Sequence, residues 1–168
     1  MNHHFAPAFR DDTVVFGACR PGYRDTNVSN ERVSEWIQFM KSESIERVVC
    51  LLAEEQLSHY TDLLVQYQRE FGNENVFWFS IADYTYPSAE LLKEDILPAL
   101  RASKERRIRT VVHCSAGEGR TGFVLAAYLV NACGFSNADA VNAVEGAGRY
   151  VFLLDYHGGE AILNSCMT

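Results

Sequence analysis

At 168 residues, 48% apolar and 22% charged, the chain has the size and composition of one globular domain with one substantial core. Fifteen Lys and Arg against 22 Asp and Glu leave a net charge of −7, which argues against a broad nucleic-acid surface or attraction to an anionic membrane, because both need a basic face. The five cysteines are odd in number and scattered, with no CxxC pair and no His cluster at ligand spacing, so neither a disulfide framework nor a zinc site is expected.

Residues 1–12 show no apolar run of signal-peptide length and are expected to be loosely held beside a single domain over 13–168. The first clear element is an amphipathic helix: Val33, Trp36, Ile37 and Met40 recur at i, i+3, i+4, i+7 after Ser29 or Asn30 as N-cap. The β-branched run 47–52 predicts a buried strand. Leu57, Tyr60, Leu64, Tyr67 and Phe71 then predict one helix closing at Gly72. Residues 76–81 supply a further strand and 82–87 a loop. Ser88 caps a third helix, whose early turns hold Glu90, Glu94 and Asp95 as the helix dipole prefers, with a kink or stop near Pro98.

Thr110, Val111, Val112 and His113 form another strand, and a strongly apolar helix follows from about Thr121. Its run 123–135 is too short for a membrane span and fits a helix buried at the centre of the fold. Gly134 ends it, and Ser136 to Asp139 begin another helix like a capping box. Strand and helix alternate, which predicts an α/β fold: a single-domain, mostly parallel twisted sheet flanked by helices on both faces. Ligands on such sheets gather at the C-terminal ends of strands, where both the loop after His113 and the loop around Asp83 fall. The expected location is the cytoplasm.

The chemistry sits at 113–122, His-Cys-Ser-Ala-Gly-Glu-Gly-Arg-Thr-Gly, between a strand and a helix N-terminus. Such a terminus offers free N–H groups and a partial positive charge. A cysteine is mostly protonated at neutral pH, so a nucleophilic Cys114 needs an electropositive setting. The helix dipole, the amides of Ser115, Ala116, Gly117, Glu118, Gly119 and Arg120 curled as a nest, and the Arg120 guanidinium would supply it. Arg120 can bind two phosphate oxygens at once. The Thr121 hydroxyl stands where it could bond the sulfur and ease its departure. Asp83 is the candidate general acid and later base.

The pattern His-Cys-x-x-Gly-x-Gly-Arg-Thr-Gly, with an aspartate loop about thirty residues upstream, resembles the cysteine-based protein tyrosine phosphatase superfamily over roughly 17–156. Chain length makes it similar to the compact dual-specificity phosphatase type. The resemblance implies a phosphocysteine at Cys114, transition-state binding by Arg120 and the loop amides, acid and base action by Asp83, a loop-orienting His113, a Thr121 that assists thiolate release, and no metal or cofactor. The expected substrate and partner is a phosphorylated protein, and the acidic net charge speaks against nucleic acid and membrane as partners. Glu118 departs from phosphoinositide-cleaving relatives, which tend to carry a basic residue there, and so argues against highly charged lipid substrates. A glutamine that places water in larger relatives has no match, and Arg149 is a candidate second anion contact.

Other readings remain beside this one. A phosphate-binding scaffold without turnover would usually lack Cys114, Arg120 or Asp83, and the same chemistry could act on an RNA 5′-phosphate or a phosphosugar. Gly117, Gly119 and Gly122 match a dinucleotide-binding pattern, but the first glycine follows Cys114, Ser115 and Ala116, and the acidic residue about twenty positions on, Asp139, falls at a helix start. Cys50 reads as core, with a redox role toward Cys114 as the alternative. Arg20 and Tyr23 are candidates for the mouth of the site.

Overall fold

Two of the three predicted strands, the β-branched runs beginning at Arg47 and at Thr110, lie inside a five-stranded sheet in the computed structural model, which describes residues 2–151 and 158–167. The strands are β1 (Ala6–Pro7), β2 (Val15–Ala18), β3 (Arg47–Cys50), β4 (Val76–Trp78) and β5 (Thr110–His113), in the order β1-β2-β5-β3-β4. β1 runs antiparallel to β2 and every other pairing is parallel. Cys50 lies beside His113 and Ala18 lies on its other side, so three chain segments leave the sheet at one edge around the Cys114 loop.

The helices are α1 (Asn30–Ser42), α2 (Glu54–Leu57), α3 (Leu63–Phe71), α4 (Ala89–Leu91), α5 (Leu97–Arg106), α6 (Gly119–Cys133), α7 (Asn137–Gly146) and α8 (Gly159–Asn164). Strand alternation divides the core between the two faces. Val49 and Val112 point to the face covered by α5, α6 and α7, whereas Val48, Cys50 and Val111 point to the face covered by α1 and α3 with Trp36, Met40 and Tyr67. The helix 123–135 is central as expected, with Phe123 to Leu129 almost wholly buried, and no helix among the described residues is long and apolar enough to cross a membrane. The fold is therefore the predicted single α/β domain.

Details depart from the sequence reading for identifiable reasons. Ser29, not Asn30, caps α1, its hydroxyl accepting from Arg32 N. The helix expected over 57–71 is two helices, because Tyr60 leaves the helical stripe to place its hydroxyl against Arg20 and the Pro21 carbonyl. Pro98 stops nothing. A π-turn over Leu92–Ile96, in which Leu97 N–H reaches back to Leu92 O, joins α4 to α5 and carries the chain past the proline. The strand expected over 76–81 is confined to β4.

The segment 1–12, expected to be loosely held, packs on the sheet over its described part. Phe5 stacks on Phe16 at 4.9 Å, Ala8 is fully buried, and His3 O accepts from Cys19 N. Residues 152–157 of the tail, to which the sequence assigns no role, lie outside the described residues.

Candidate active site

β5 delivers His113 and Cys114 to the sheet edge, and α6 begins at Gly119, so residues 114–118 form the turn between them. Gly117 makes the turn possible. Its φ is +75°, and a Cβ there would come within 2.5 Å of Ala18 O and 2.8 Å of Cys19 N, both backbone atoms. Cys114 is only 3% exposed, yet it lines a cavity of about 510 Å³ with Arg120, Asp83, Tyr23, Tyr84 and Tyr86. Ser115, Ala116, Glu118 and Gly119 complete the wall on the loop side.

Arg120 is buried and its guanidinium is aimed by fixed acceptors. Nη1 donates to Gln56 Oε1 at 2.7 Å and to Ile81 O at 2.9 Å, while Nη2 pairs with Asp83 Oδ1 at 3.0 Å. Asp83 also accepts from Tyr84 N at 3.0 Å and from Gln56 Nε2 at 3.2 Å. Gln56 therefore joins the candidate acid to the candidate anion-binding arginine, and its orientation is set because Ala53 N also donates to Oε1 at 3.1 Å. Tyr84 stands 93% exposed at a φ of 58°, a left-handed backbone that few non-glycine residues adopt.

His113 supports the loop from beneath. Its Nδ1 faces Cys114 O at 3.1 Å, and a carbonyl only accepts, so Nδ1 carries the proton. Nε2 then accepts from the Tyr67 hydroxyl at 3.0 Å. Burial holds this tautomer neutral by lowering the imidazole to about 4 and keeps Tyr67 a hydroxyl by raising its phenol well above 10. Trp36 closes the pocket edge-on to the ring at 5.3 Å. Cys50 is fully buried and burial pushes its thiol up to about 12, which suits a core residue.

Four sequence expectations take a different form. The Thr121 hydroxyl is buried and makes no hydrogen bond among the described residues, so its expected bond to the Cys114 sulfur is not formed here. The Glu118 carboxylate turns to the loop's own supports, accepting from Tyr150 N at 2.6 Å and pairing with His4 Nε2 at 3.1 Å. It lines the cavity as well, so the expectation that it disfavours highly charged lipid substrates now concerns a carboxylate that also holds the loop.

Arg149 is no second anion contact. It is 1% exposed and donates to the carbonyls of Gly117 and of His4, in space that the missing Cβ of Gly17 leaves open. Arg20 is likewise buried and not at the mouth; its Nε donates to Ser115 Oγ at 3.1 Å and Nη1 to the Tyr60 hydroxyl at 3.0 Å. Tyr23 does line the cavity, as expected. The sequence reading places Tyr67 only in a helical stripe, expects His4 to be disordered and gives Gln56 no role, so none of the three is assigned to the site. Only Gln56 carried a usable signal, since it lies in α2, the first element past the C-terminal end of β3, where ligands gather. Among the described residues no group of three or more His, Cys, Asp or Glu side chains could hold a metal ion.

Residues 23–151 match the family model for the Swiss Army Knife protein DSP-PTPase phosphatase domain. None of the curated proteins matches the chain. Among solved structures, the chain is similar to Tk-PTP in its active form at 22% identity, covering 92% of each chain with a TM-score of 0.71. It is similar to kinase associated phosphatase, in a form with serine at the catalytic cysteine, at 22% identity over 90% of this chain and 86% of that one, TM-score 0.74. It is also similar to PTPMT1 in complex with PI(5)P, at 14% identity over 96% of each chain, TM-score 0.70. These structural likenesses bear on the fold.

Proposed function

The chain belongs to the DSP-PTPase phosphatase domain family, of the compact dual-specificity type, and from that premise we propose that it hydrolyses phosphomonoesters in two steps through a phosphocysteine at Cys114. In the first step the Cys114 thiolate attacks phosphorus. The S–P bond forms as the P–O bond to the leaving group breaks, and Asp83 gives its proton to the departing oxygen. In the second step Asp83 takes a proton from water, whose oxygen attacks phosphorus. The S–P bond then breaks, and inorganic phosphate and the thiolate are released.

The observation that carries this reading is that Cys114, Arg120 and Asp83 line one cavity, with Arg120 and Asp83 only 3.0 Å apart. Phosphate oxygens compete with Asp83 for the guanidinium, so substrate binding frees the acid next to the bond that breaks. The N-terminus of α6 and the amides of 115–120 stabilise both the thiolate and the charge of the transferring group.

The favoured substrate class is a phosphorylated protein, with phosphotyrosine ahead of phosphoserine and phosphothreonine. Tyr23, Tyr84 and Tyr86 give the cavity aromatic walls suited to an aryl phosphate. The test is hydrolysis of an aryl phosphate in the presence of a metal chelator by wild type, Cys114→Ser and Asp83→Ala. Loss of turnover in Cys114→Ser, and loss in Asp83→Ala that is greatest for poor leaving groups, are the expected results. Turnover surviving in Cys114→Ser would overturn the mechanism. A panel of phosphopeptides, a phosphoinositide, a phosphosugar and a 5′-phosphorylated RNA tests the substrate class, and preference for any of the last three would overturn it.

A further inference from the structure

Three successive carbonyls of the phosphate loop each accept a hydrogen bond from outside it. Ser115 O accepts from Arg20 N at 3.0 Å, Ala116 O from His4 Nδ1 at 3.2 Å, and Gly117 O from Arg149 Nη1. A planar trans peptide points its C=O and the following N–H in opposite directions. Pinning these carbonyls outward therefore turns the amides of Ala116, Gly117 and Glu118 inward, toward the place an anion would take.

Two of the three donors lie close in sequence to recognisable elements. The third comes from the chain's fourth residue, 112 positions away from its acceptor. We propose that His4 is a positioning residue of the anion site: its Nδ1–H holds the Ala116 carbonyl outward and so fixes the Gly117 amide as an inward donor. This rests on the phosphatase reading of the site.

The surroundings of the ring support the assignment. Every polar neighbour is an acceptor: Ala116 O faces Nδ1, while Gly148 O at 3.1 Å and Glu118 Oε1 at 3.1 Å face Nε2. The backbone is held for the purpose. His4 has φ 53°, its carbonyl accepts from Arg149 Nη2 at 2.7 Å, and its N–H donates to Asn2 Oδ1 at 3.1 Å. The N-terminal turn, the phosphate loop and the turn at Gly148 thus meet at one imidazole.

The test uses vanadate as a tetrahedral oxyanion, with binding measured by calorimetry in wild type, His4→Gly, His4→Gln and His4→Asn, and folding checked by thermal melts. Glycine and asparagine both tolerate the left-handed backbone. Only asparagine places an amide donor where Nδ1 stands, while glutamine reaches Gly148 and Glu118 instead. Vanadate affinity, and kcat/KM on an aryl phosphate, should fall about tenfold in His4→Gly and His4→Gln, the scale of one lost hydrogen bond, and be restored to within about threefold in His4→Asn. Equal affinity in all four proteins, or a His4→Gln that matches wild type while His4→Asn does not, would overturn the proposal. A wild type that binds vanadate and turns over no phosphomonoester would instead sink the phosphatase reading and leave the affinity order to decide the role of His4.

Discussion

Lowering the pH should destabilise the fold through one buried imidazole, and the size of the effect follows from its surroundings. His113 is fully buried, with Nδ1 donating to Cys114 O and Nε2 accepting from Tyr67. Burial lowers its imidazole from 6.5 to about 4. Between those two values the unfolded chain takes up a proton that the folded chain refuses, so the unfolded state binds more protons and stability falls as the pH falls. Above 6.5 neither state is charged and the contribution is flat. The span from 6.5 to about 4, at about 1.4 kcal/mol per pH unit, amounts to about 3 to 4 kcal/mol. Urea unfolding across this range should show that loss in wild type beyond whatever the carboxylates contribute. His113→Asn keeps a donor near Cys114 O but cannot titrate, and it should lack the extra loss whatever its absolute stability. Parallel curves for the two proteins would mean that His113 is charged in the folded state, and the argument for its tautomer would fail.

Two further outcomes follow from the site. Gly117→Ala places a methyl group 2.5 Å from Ala18 O at φ +75°, so the loop must shift, and turnover should fall roughly 100-fold, the order expected when reacting groups move by about 1 Å; activity within about twofold of wild type would contradict this. Gln56→Ala removes the bridge between Arg120 and Asp83 and should lower kcat/KM for an aryl phosphate about tenfold, the scale of one hydrogen bond to a charged group. An unchanged rate would show that Arg120 and Asp83 hold each other unaided.

What the sequence made legible was local. The loop of 113–122, the stripe of α1, the buried run of α6 and the β-branched strands β3 and β5 each carry their signal within a few residues. The place of Asp83 in the cavity wall was legible because a strand end marks the sheet edge where ligands bind. The rest was set by distant contacts. β1 is only two residues long, which leaves no alternation to detect. Tyr60 fits a helical stripe by spacing and leaves it because Arg20 needs its hydroxyl. Pro98 satisfies the local rule for a helix stop, but burial of Leu92, Ile96, Leu97 and Leu100 keeps the chain helical and displaces the disruption into a π-turn. Arg149 and His4 bond to loop carbonyls 32 and 112 positions away, and no pattern within either segment announces that. The contacts of Glu118 were hidden for the same reason, since its partners, His4 and the Tyr150 amide, are remote.

The central claim is that phosphate passes through the sulfur of Cys114. Rapid acid quench of Asp83→Ala turning over an aryl phosphate, whose good leaving group needs no acid while the second step lacks its base, followed by peptide mass spectrometry, tests it most directly. The account predicts a phosphoryl adduct on the peptide containing Cys114 and on no other. Free phosphate released with no adduct on that peptide, or an adduct at another residue, would contradict it.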